Sequence, residues 1–302
     1  MRNPAVPLCL ALVLVSASAF GDRDAINLGA PPLPAANDGL VRTLSPEALA
    51  PGALRANVWL GYERSPLVLR NSSGAEFPIV RDRVFNDYAL SLGVLPRMEV
   101  SFALGAIPYE SGVDISETID RAPIPATALG NMEVGYKTTW LTPGDLGGMT
   151  LGSRGILEIP TGSRPALRSS GSPEGELALL SGLHLLVFEL RASAGVRLRG
   201  AEPSFLRVRY GDEFRWNAGL MFRPILLGWD ATGATLMGLE FSGAEALSGD
   251  APSGATGAQV RLGVSRRFSA LSINTGLQLP LDSSPGNPRA MGFVGLGWSS
   301  DD

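Results

Sequence analysis

The chain of 302 residues is long enough for one or two domains. Apolar residues seldom recur at three- and four-residue spacing for long, which argues against a helical domain, and no segment beyond the N-terminus offers the ~18 consecutive apolar residues of a transmembrane helix. Its 25 basic and 29 acidic residues leave a net charge of −4, a mild acidity that gives no reason to expect nucleic-acid binding.

Arg2, the apolar run Ala5 to Val15 broken only by Pro7, and the small residues Ala17-Ser18-Ala19 have the layout of a secretory signal over residues 1–19, cleaved after Ala19. The run is shorter than the ~20 residues that span a bilayer, and Gly21-Asp22-Arg23-Asp24 follows it directly, so a membrane anchor fits less well. The one cysteine, Cys9, lies inside this segment after Pro7-Leu8 rather than after small residues. It therefore does not resemble an acylated lipoprotein cysteine, and the mature chain is expected to have no disulfide, thiolate metal site or thiol nucleophile. Residues 20–53, with Pro31-Pro32-Leu33-Pro34 and Ser45-Pro46-Glu47-Ala48-Leu49, read as a flexible N-terminal arm with one short helical turn from Ser45. A sharper reading has this arm plug the structure that follows or bind a partner.

From there the pattern is alternation. Val58, Leu60 and Tyr62 alternate with Asn57, Trp59 and Gly61. Val84, Asn86, Tyr88, Leu90, Leu92 and Val94 share one parity, against Phe85, Asp87, Ala89, Ser91 and Gly93. After Leu95-Pro96-Arg97 the pattern resumes, with Met98, Val100, Phe102 and Leu104 on the bulky parity. The same order recurs from Met132 to Trp140, Leu190 to Leu198, Phe214 to Phe222, Val260 to Val264 and Leu271 to Leu279. About 12 such segments of roughly 9–11 residues have the length of tilted membrane-crossing strands, whereas sandwich strands average nearer 5–6. The fold class expected is all-β, a transmembrane antiparallel up-and-down β-barrel over residues 54–302.

Loop lengths alternate as such barrels require. Long connections are expected at Glu63 to Arg83, Pro108 to Gly130, Thr161 to Gly175, Gly200 to Asp212 and Ala244 to Thr256, with an intermediate one at Asp282 to Pro288. Short ones fall at Leu95-Pro96-Arg97, Thr142 to Gly148, near Val187 and at Arg267-Phe268, with a moderate one at Arg223 to Thr232. Turn-forming runs at 71–74, 169–173 and 248–254 mark the long set as solvated. This arrangement places both ends of the chain, and the arm, in the periplasm of a cell with an outer membrane.

Charged residues keep to the parity opposite the bulky ones: Glu99, Glu133, Lys137, Arg154, Glu158, Glu189, Arg191, Arg197, Arg199, Arg215, Glu240 and Arg261. A basic group facing lipid at mid-membrane costs about 2–4 kcal/mol, so these twelve are the candidate lumen-lining residues. Two uses are open, a charged lumen that selects a solute and an ion-paired filling of the interior. Trp140 and Trp298, at strand ends on the periplasmic side, suit an interfacial aromatic girdle.

Several stretches then resemble a known family: 65–70, Val80-Arg81-Asp82-Arg83, 90–100, 104–112, Ile159-Pro160-Thr161-Gly162 and Gly286-Asn287-Pro288-Arg289-Ala290. Across about residues 40 to 298 they look like the N-terminal barrel of myxobacterial-type OmpA-family outer-membrane proteins, and are also similar to the transporter family named for the phenol meta-degradation pathway. The first resemblance implies a peptidoglycan-binding domain after the barrel; here the sequence ends at Ser299-Ser300-Asp301-Asp302, which leaves wall anchoring without its domain. The terminal aromatic that serves such barrels as an assembly signal has a counterpart in Trp298, four residues short of the end. The partners implied are outer-membrane lipids, the barrel-assembly machinery during insertion and small solutes, hydrophobic ones if the phenol-pathway likeness is the better guide.

Enzymatic and metal chemistry find little support. The single histidine, His184, lies on the inward parity of Leu183-His184-Leu185, and no Ser or Asp motif near it resembles an outer-membrane phospholipase or an omptin-type protease. The acidic residues, Asp82, Asp87 and the 114–117 loop included, show no ligand spacing. The glycine-rich stretch 292–297 precedes no helix, as a dinucleotide loop would. No enzyme activity and no cofactor are expected. The expectation is an outer-membrane channel for small solutes, the alternatives being a structural barrel with a closed, ion-paired lumen and a secreted β-sandwich.

Overall fold

The computed structural model describes residues 43–70, 76–113, 124–142, 144, 148–201, 204–205, 208–230, 232–249, 257–282 and 287–300. The expected signal segment, the arm up to residue 42, the turn runs at 71–74 and 250–254 and the acidic loop at 114–117 lie outside the described residues. Strands run β1 Leu54–Arg70, β2 Glu76–Leu95, β3 Met98–Ser111, β4 Ala128–Leu141, β5 Met149–Ile159, β6 Glu174–Leu185, β7 Phe188–Arg199, β8 Ser204–Phe205, β9 Val208–Arg209, β10 Glu213–Phe222, β11 Thr235–Ala246, β12 Gln259–Phe268, β13 Leu271–Pro280 and β14 Ala290–Ser299.

Twelve of these close into an antiparallel barrel in chain order, with β14 returning to pair with β1; β8 and β9 form a separate small hairpin in the β7–β10 connection. Closure removes every sheet edge, which is the condition for a sheet to stand in lipid. Both ends of the barrel sequence meet at one rim, where the Leu54 amide donates to Ser300 Oγ at 2.8 Å.

That rim carries the short connections. Turns of two residues join β2 to β3, β6 to β7 and β12 to β13, and each holds a non-glycine residue in the left-handed region: Arg97 (φ 67), Leu186 (φ 52) and Ser269 (φ 54). Tight hairpins need such φ values to match the strand twist. In the longer β10–β11 turn, Asp230 accepts from the Thr232 amide (3.1 Å), the Thr232 hydroxyl (2.5 Å) and the Thr235 amide. These bonds hold its carboxyl below the usual carboxylate range. The support they give the turn is therefore complete above that range and fades only as pH falls through the depressed value.

Side chains divide by parity. Val58, Leu60, Tyr88, Leu90, Leu262, Ile273, Leu277 and Leu296 face outward and exposed, while their sequence neighbours Asn57, Trp59, Asp87, Ala89, Arg261, Ser272, Gln278 and Gly295 face inward and buried. Trp140 and Trp298 are exposed at the rim of the short turns. Aromatic rings also cover glycines of the neighbouring strand: a Cβ at Gly61, Gly295 or Gly276 would strike Phe85, Trp59 or Phe293 respectively. Trp59, Phe85, Met291 and Phe293 thereby form a buried cluster on the lumen side.

Two expectations are corrected. The first long connection, Glu63 to Arg83, is mostly strand, since β1 runs to Arg70 and β2 starts at Glu76. The turn-forming run at 71–74 predicts a long loop, but register shifts between Arg64 and Val68 absorb the irregularity of β1 and pairing continues beyond it. Second, residues 45–50 form no helical turn. The amides of Ala48 and Leu49, which a helix would bond internally, are bonded instead to side chains of the barrel wall.

The lipid-facing assignment makes a measurable claim. Leu262, 58% exposed at mid-β12, is expected to lose about 2–4 kcal/mol of folding free energy on substitution by arginine, against a small change for Leu262→Ala. Urea titrations of folding into lipid bilayers check this; equal midpoints for the two variants would place Leu262 away from lipid.

Candidate functional site

The lumen is lined by the residues that alternation turned inward, and the register of adjacent strands brings them together in groups. Near the long-loop end, Arg83 on β2 bonds Glu110 on β3 at 2.6 Å and Glu63 on β1 at 3.2 Å, all three buried. Across the barrel, Arg197 on β7 bonds both Glu174 on β6 (2.6 Å) and Glu158 on β5. Asn131 donates to Glu158 and Ser170 to Glu174, each at 2.6 Å. Arg199 continues the chain to Glu213 (2.8 Å), and Arg215 joins Glu213 (3.0 Å) to Glu176 (3.3 Å). Arginine serves here because a planar fork of donors engages two carboxylates at once.

Of the twelve sequence candidates, Glu99, Glu133, Lys137, Glu158, Glu189, Arg191, Arg197, Glu240 and Arg261 are buried inside the barrel, while Arg154, Arg199 and Arg215 are half-buried. Lys137 pairs with Glu99 at 3.3 Å, and Arg191 with Glu189 at 2.5 Å. Arg261 is held by Gln278 and Gln259 at 2.6 Å and by Ser242 at 3.1 Å, with Glu240 4.0 Å away. Glu133 stands directly across from Glu158 in the β4–β5 register. Sequence reasoning missed Glu63, Arg83, Glu110, Glu174, Glu176 and Glu213, all inward. The sequence predicts a loop from Glu63 to Arg83, although the parity of both residues continues that of Trp59 and Phe85.

The lumen also holds main chain. Residues 43–50, the last part of the N-terminal arm, run inside the barrel from the short-turn rim. The Thr43 amide donates to Glu240 Oε1 (2.6 Å), the Ala48 amide to Thr139 Oγ1 (2.8 Å) and the Leu49 amide to Glu99 Oε2 (2.9 Å), while Thr139 donates back to the Pro46 carbonyl (2.8 Å). Thr43, Leu44, Ser45 and Leu49 are buried. The wall makes room with glycine. A Cβ at Gly93 would lie 2.0 Å from the Ala50 carbonyl oxygen, and one at Gly152 3.1 Å from that of Pro46 as well as 2.5 Å from the Thr138 carbonyl oxygen of the wall itself. Glu47 lies 3.4 Å from His184 Nε2, which also faces Glu189 at 3.7 Å.

At the opposite end the β5–β6 connection folds inward. Ala166, Leu167, Arg168, Ser169 and Ser170 are buried, and Leu167 takes a left-handed φ of 57°. The Ser163 amide ties the loop to the Leu129 carbonyl at 2.9 Å. Among the described residues, two small spaces border residues 43–50: a cavity of about 40 Å³ between Leu44, Glu99, Lys137 and Arg154, and one of about 20 Å³ between Leu44, Glu176 and Arg215. A water needs roughly 10–15 Å³, so the first has room for about three waters and the second for about one, with Leu44 bordering both.

No family model and no curated protein matches the chain. Among solved structures, an outer membrane channel from Pseudomonas putida F1 is similar with a TM-score of 0.60 at 13% identity, over 86% of this chain and 100% of that one. Weaker likeness, with a TM-score of 0.49 and 7% identity, is found to the KdgM porin in complex with disordered oligogalacturonate, over 80% of this chain and 98% of that one. The NanC porin has the same score and identity over 82% and 99%. At these identities the likeness is one of fold: the chain has the 12-stranded barrel architecture of an outer-membrane protein. Membership of the OmpA-type family receives no support from these comparisons.

Proposed function

We propose that this protein is an outer-membrane channel for small solutes that rests closed, with residues 43–50 as its plug. The observation that carries this reading is how the plug is held. A permanently filled barrel is packed by its own side chains, whereas here the wall at Gly93 carries no side chain and the space there goes to the Leu49 and Ala50 carbonyls of a separate piece of main chain. Of the four hydrogen bonds that anchor it, the two between neutral groups are worth about 0.5–1.5 kcal/mol net each and the two to carboxylates about 1.5–3 each, and breaking them leaves the strand ladders of the barrel intact. On this reading residues 1–19 are a removed signal, residues 20–53 enter from the periplasm, and the twelve inward charges line the path. The motif likeness to the phenol-pathway transporters favours transport over wall anchoring.

The ion-paired network around Arg197 favours a second reading, a structural barrel with a permanently closed lumen. Planar-bilayer recordings separate the two. The full chain is expected to show long closed periods, and a variant lacking residues 43–50 a sustained conductance. If the deleted variant keeps the heat-modifiable gel migration of a folded barrel and still passes no current, the channel reading fails.

A further inference from the structure

Of the plug residues Thr43 to Ala50, Glu47 alone is charged, and it faces His184, the one histidine of the chain. The other bonds that hold the plug all use its main chain. Among the described residues, Glu47 and His184 therefore form the one side-chain ion pair between plug and wall.

His184 is fixed near the end of β6, at the short-turn rim. Its amide donates to the Gly148 carbonyl at 3.0 Å, and it stands across from Glu189 of β7 in the ladder. Its Nε2 lies 3.4 Å from Glu47 Oε1 and 3.7 Å from Glu189 Oε1. That nitrogen is shielded from solvent and has no hydrogen-bond partner among the described residues. The imidazole thus stands between one carboxylate of the plug and one of the wall. The neighbouring charges are engaged: Arg191 of β7 bonds Glu189 at 2.5 Å, and Lys137 of β4 pairs with Glu99 at 3.3 Å. On β10, Met221 stands across from Glu189, and β5 contributes the uncharged Thr150. Asp145 of the β4–β5 connection lies outside the described residues.

The geometry points to a pH-operated latch in which protonated His184 holds Glu47 and keeps the plug in the lumen, and neutral His184 lets it go. With the ring neutral, Glu47, Glu189 and Arg191 leave one negative charge in excess, and the plug carboxylate faces the wall carboxylate across an uncharged imidazole. With the ring protonated the charges balance, and Nε2 becomes a charged donor to Glu47. Histidine is the side chain whose charge ordinarily changes between about pH 5 and pH 8. The hold is complete on the acid side of its titration and is lost as pH rises through it, so acid closes the lumen. The Glu47 and His184 side chains are 45% and 35% exposed, and an ion pair that exposed moves an equilibrium by about two- to fivefold. The latch therefore biases a plug that its main-chain bonds already seat. This regulation rests on the channel reading, but plug position and current are measured separately.

Amide hydrogen exchange over residues 43–50 of the full chain in lipid nanodiscs reads the plug directly, because the Thr43, Ala48 and Leu49 amides donate to the wall only while it is seated. After correction for intrinsic exchange rates, protection is expected to fall about two- to fivefold between about pH 5 and pH 8. His184→Gln is expected to show the lower protection at both pH values, and His184→Arg, a permanent cation, the higher protection at both. Glu47→Gln, which leaves the wall untouched, is expected to abolish the difference and carries the test if the His184 variants do not fold. Protection that ignores pH in the native chain, that rises with pH, or that changes as much in Glu47→Gln or in His184→Gln overturns the latch. Planar-bilayer current at the same pH values keeps the two readings apart. Protection that follows pH in a chain that never conducts, even with residues 43–50 deleted, leaves the latch and removes the channel. Current on deletion, with protection that ignores pH, does the reverse.

Discussion

Replacing Arg197 by methionine is expected to lower the stability of the barrel by about 3–5 kcal/mol, the cost of breaking a buried ion pair by removing one partner. Arg197 bonds both Glu158 and Glu174, to which Asn131 and Ser170 add neutral donors. Removing the guanidinium withdraws from two buried carboxylates the charge they share and leaves a methionine between them. The companion variant Arg197→Met with Glu158→Gln and Glu174→Gln removes all three charges together, and its stability is expected to return close to that of the native chain, because an ion network exchanged as a unit for neutral groups is often near neutral in free energy. Urea unfolding from bilayers, compared across the three proteins, measures the difference. A single variant no less stable than the native chain would mean that the network is hydrated and loosely held, and would weaken the reading of this wall as a rigid filling.

The second large effect is on conductance. Gly93→Leu is expected to drive residues 43–50 out of the lumen and to give the sustained current predicted for the deletion, with the plug sequence untouched. A Cβ at position 93 would sit 2.0 Å from the Ala50 carbonyl oxygen and 2.8 Å from that of Leu49, so one side has to move. Strand β2 is held on both flanks by ladders to β1 and β3, while the plug is held by the four hydrogen bonds already described. The plug is the side that yields. Gly292→Ala on β14, whose Cβ would meet only Leu277 Cδ2 at an ordinary contact distance of 3.6 Å, is the matched control and is expected to remain closed. Current from both variants would indicate general destabilisation, and current from neither would mean that the plug reseats around the added side chain.

The alternation from Val84 to Leu104 makes the lipid and lumen faces legible in the sequence, because a strand has a side-chain period of two and the membrane penalises a charge on the wrong face. The candidate charges are legible for the same reason, and two that are not, Glu63 and Arg83, fall in the long connection predicted around the turn-forming run at 71–74. The plug is legible only as one of two uses of the arm. Ser45-Pro46-Glu47-Ala48-Leu49 has the composition of a helix start, and only the side-chain oxygens of Glu99 and Thr139, 50 and 91 residues away in sequence, draw its amides out of that conformation.

Parity, strand length and loop length are local properties of the chain, and they set the class of surface that each residue meets. Which inward residues meet one another is decided by strand register and, at the seam between β14 and β1, by closure. Joining β14 to β1 sets Asn57 and Trp59 beside Gly297 and Gly295 and, through them, near Ser272 and Asn274; the plug sets Thr43 against Glu240. Contacts at such separations depend on the shear and registry of the whole ring, which no stretch of sequence encodes locally, and they are what turn an alternating wall into a lumen that residues 43–50 enter.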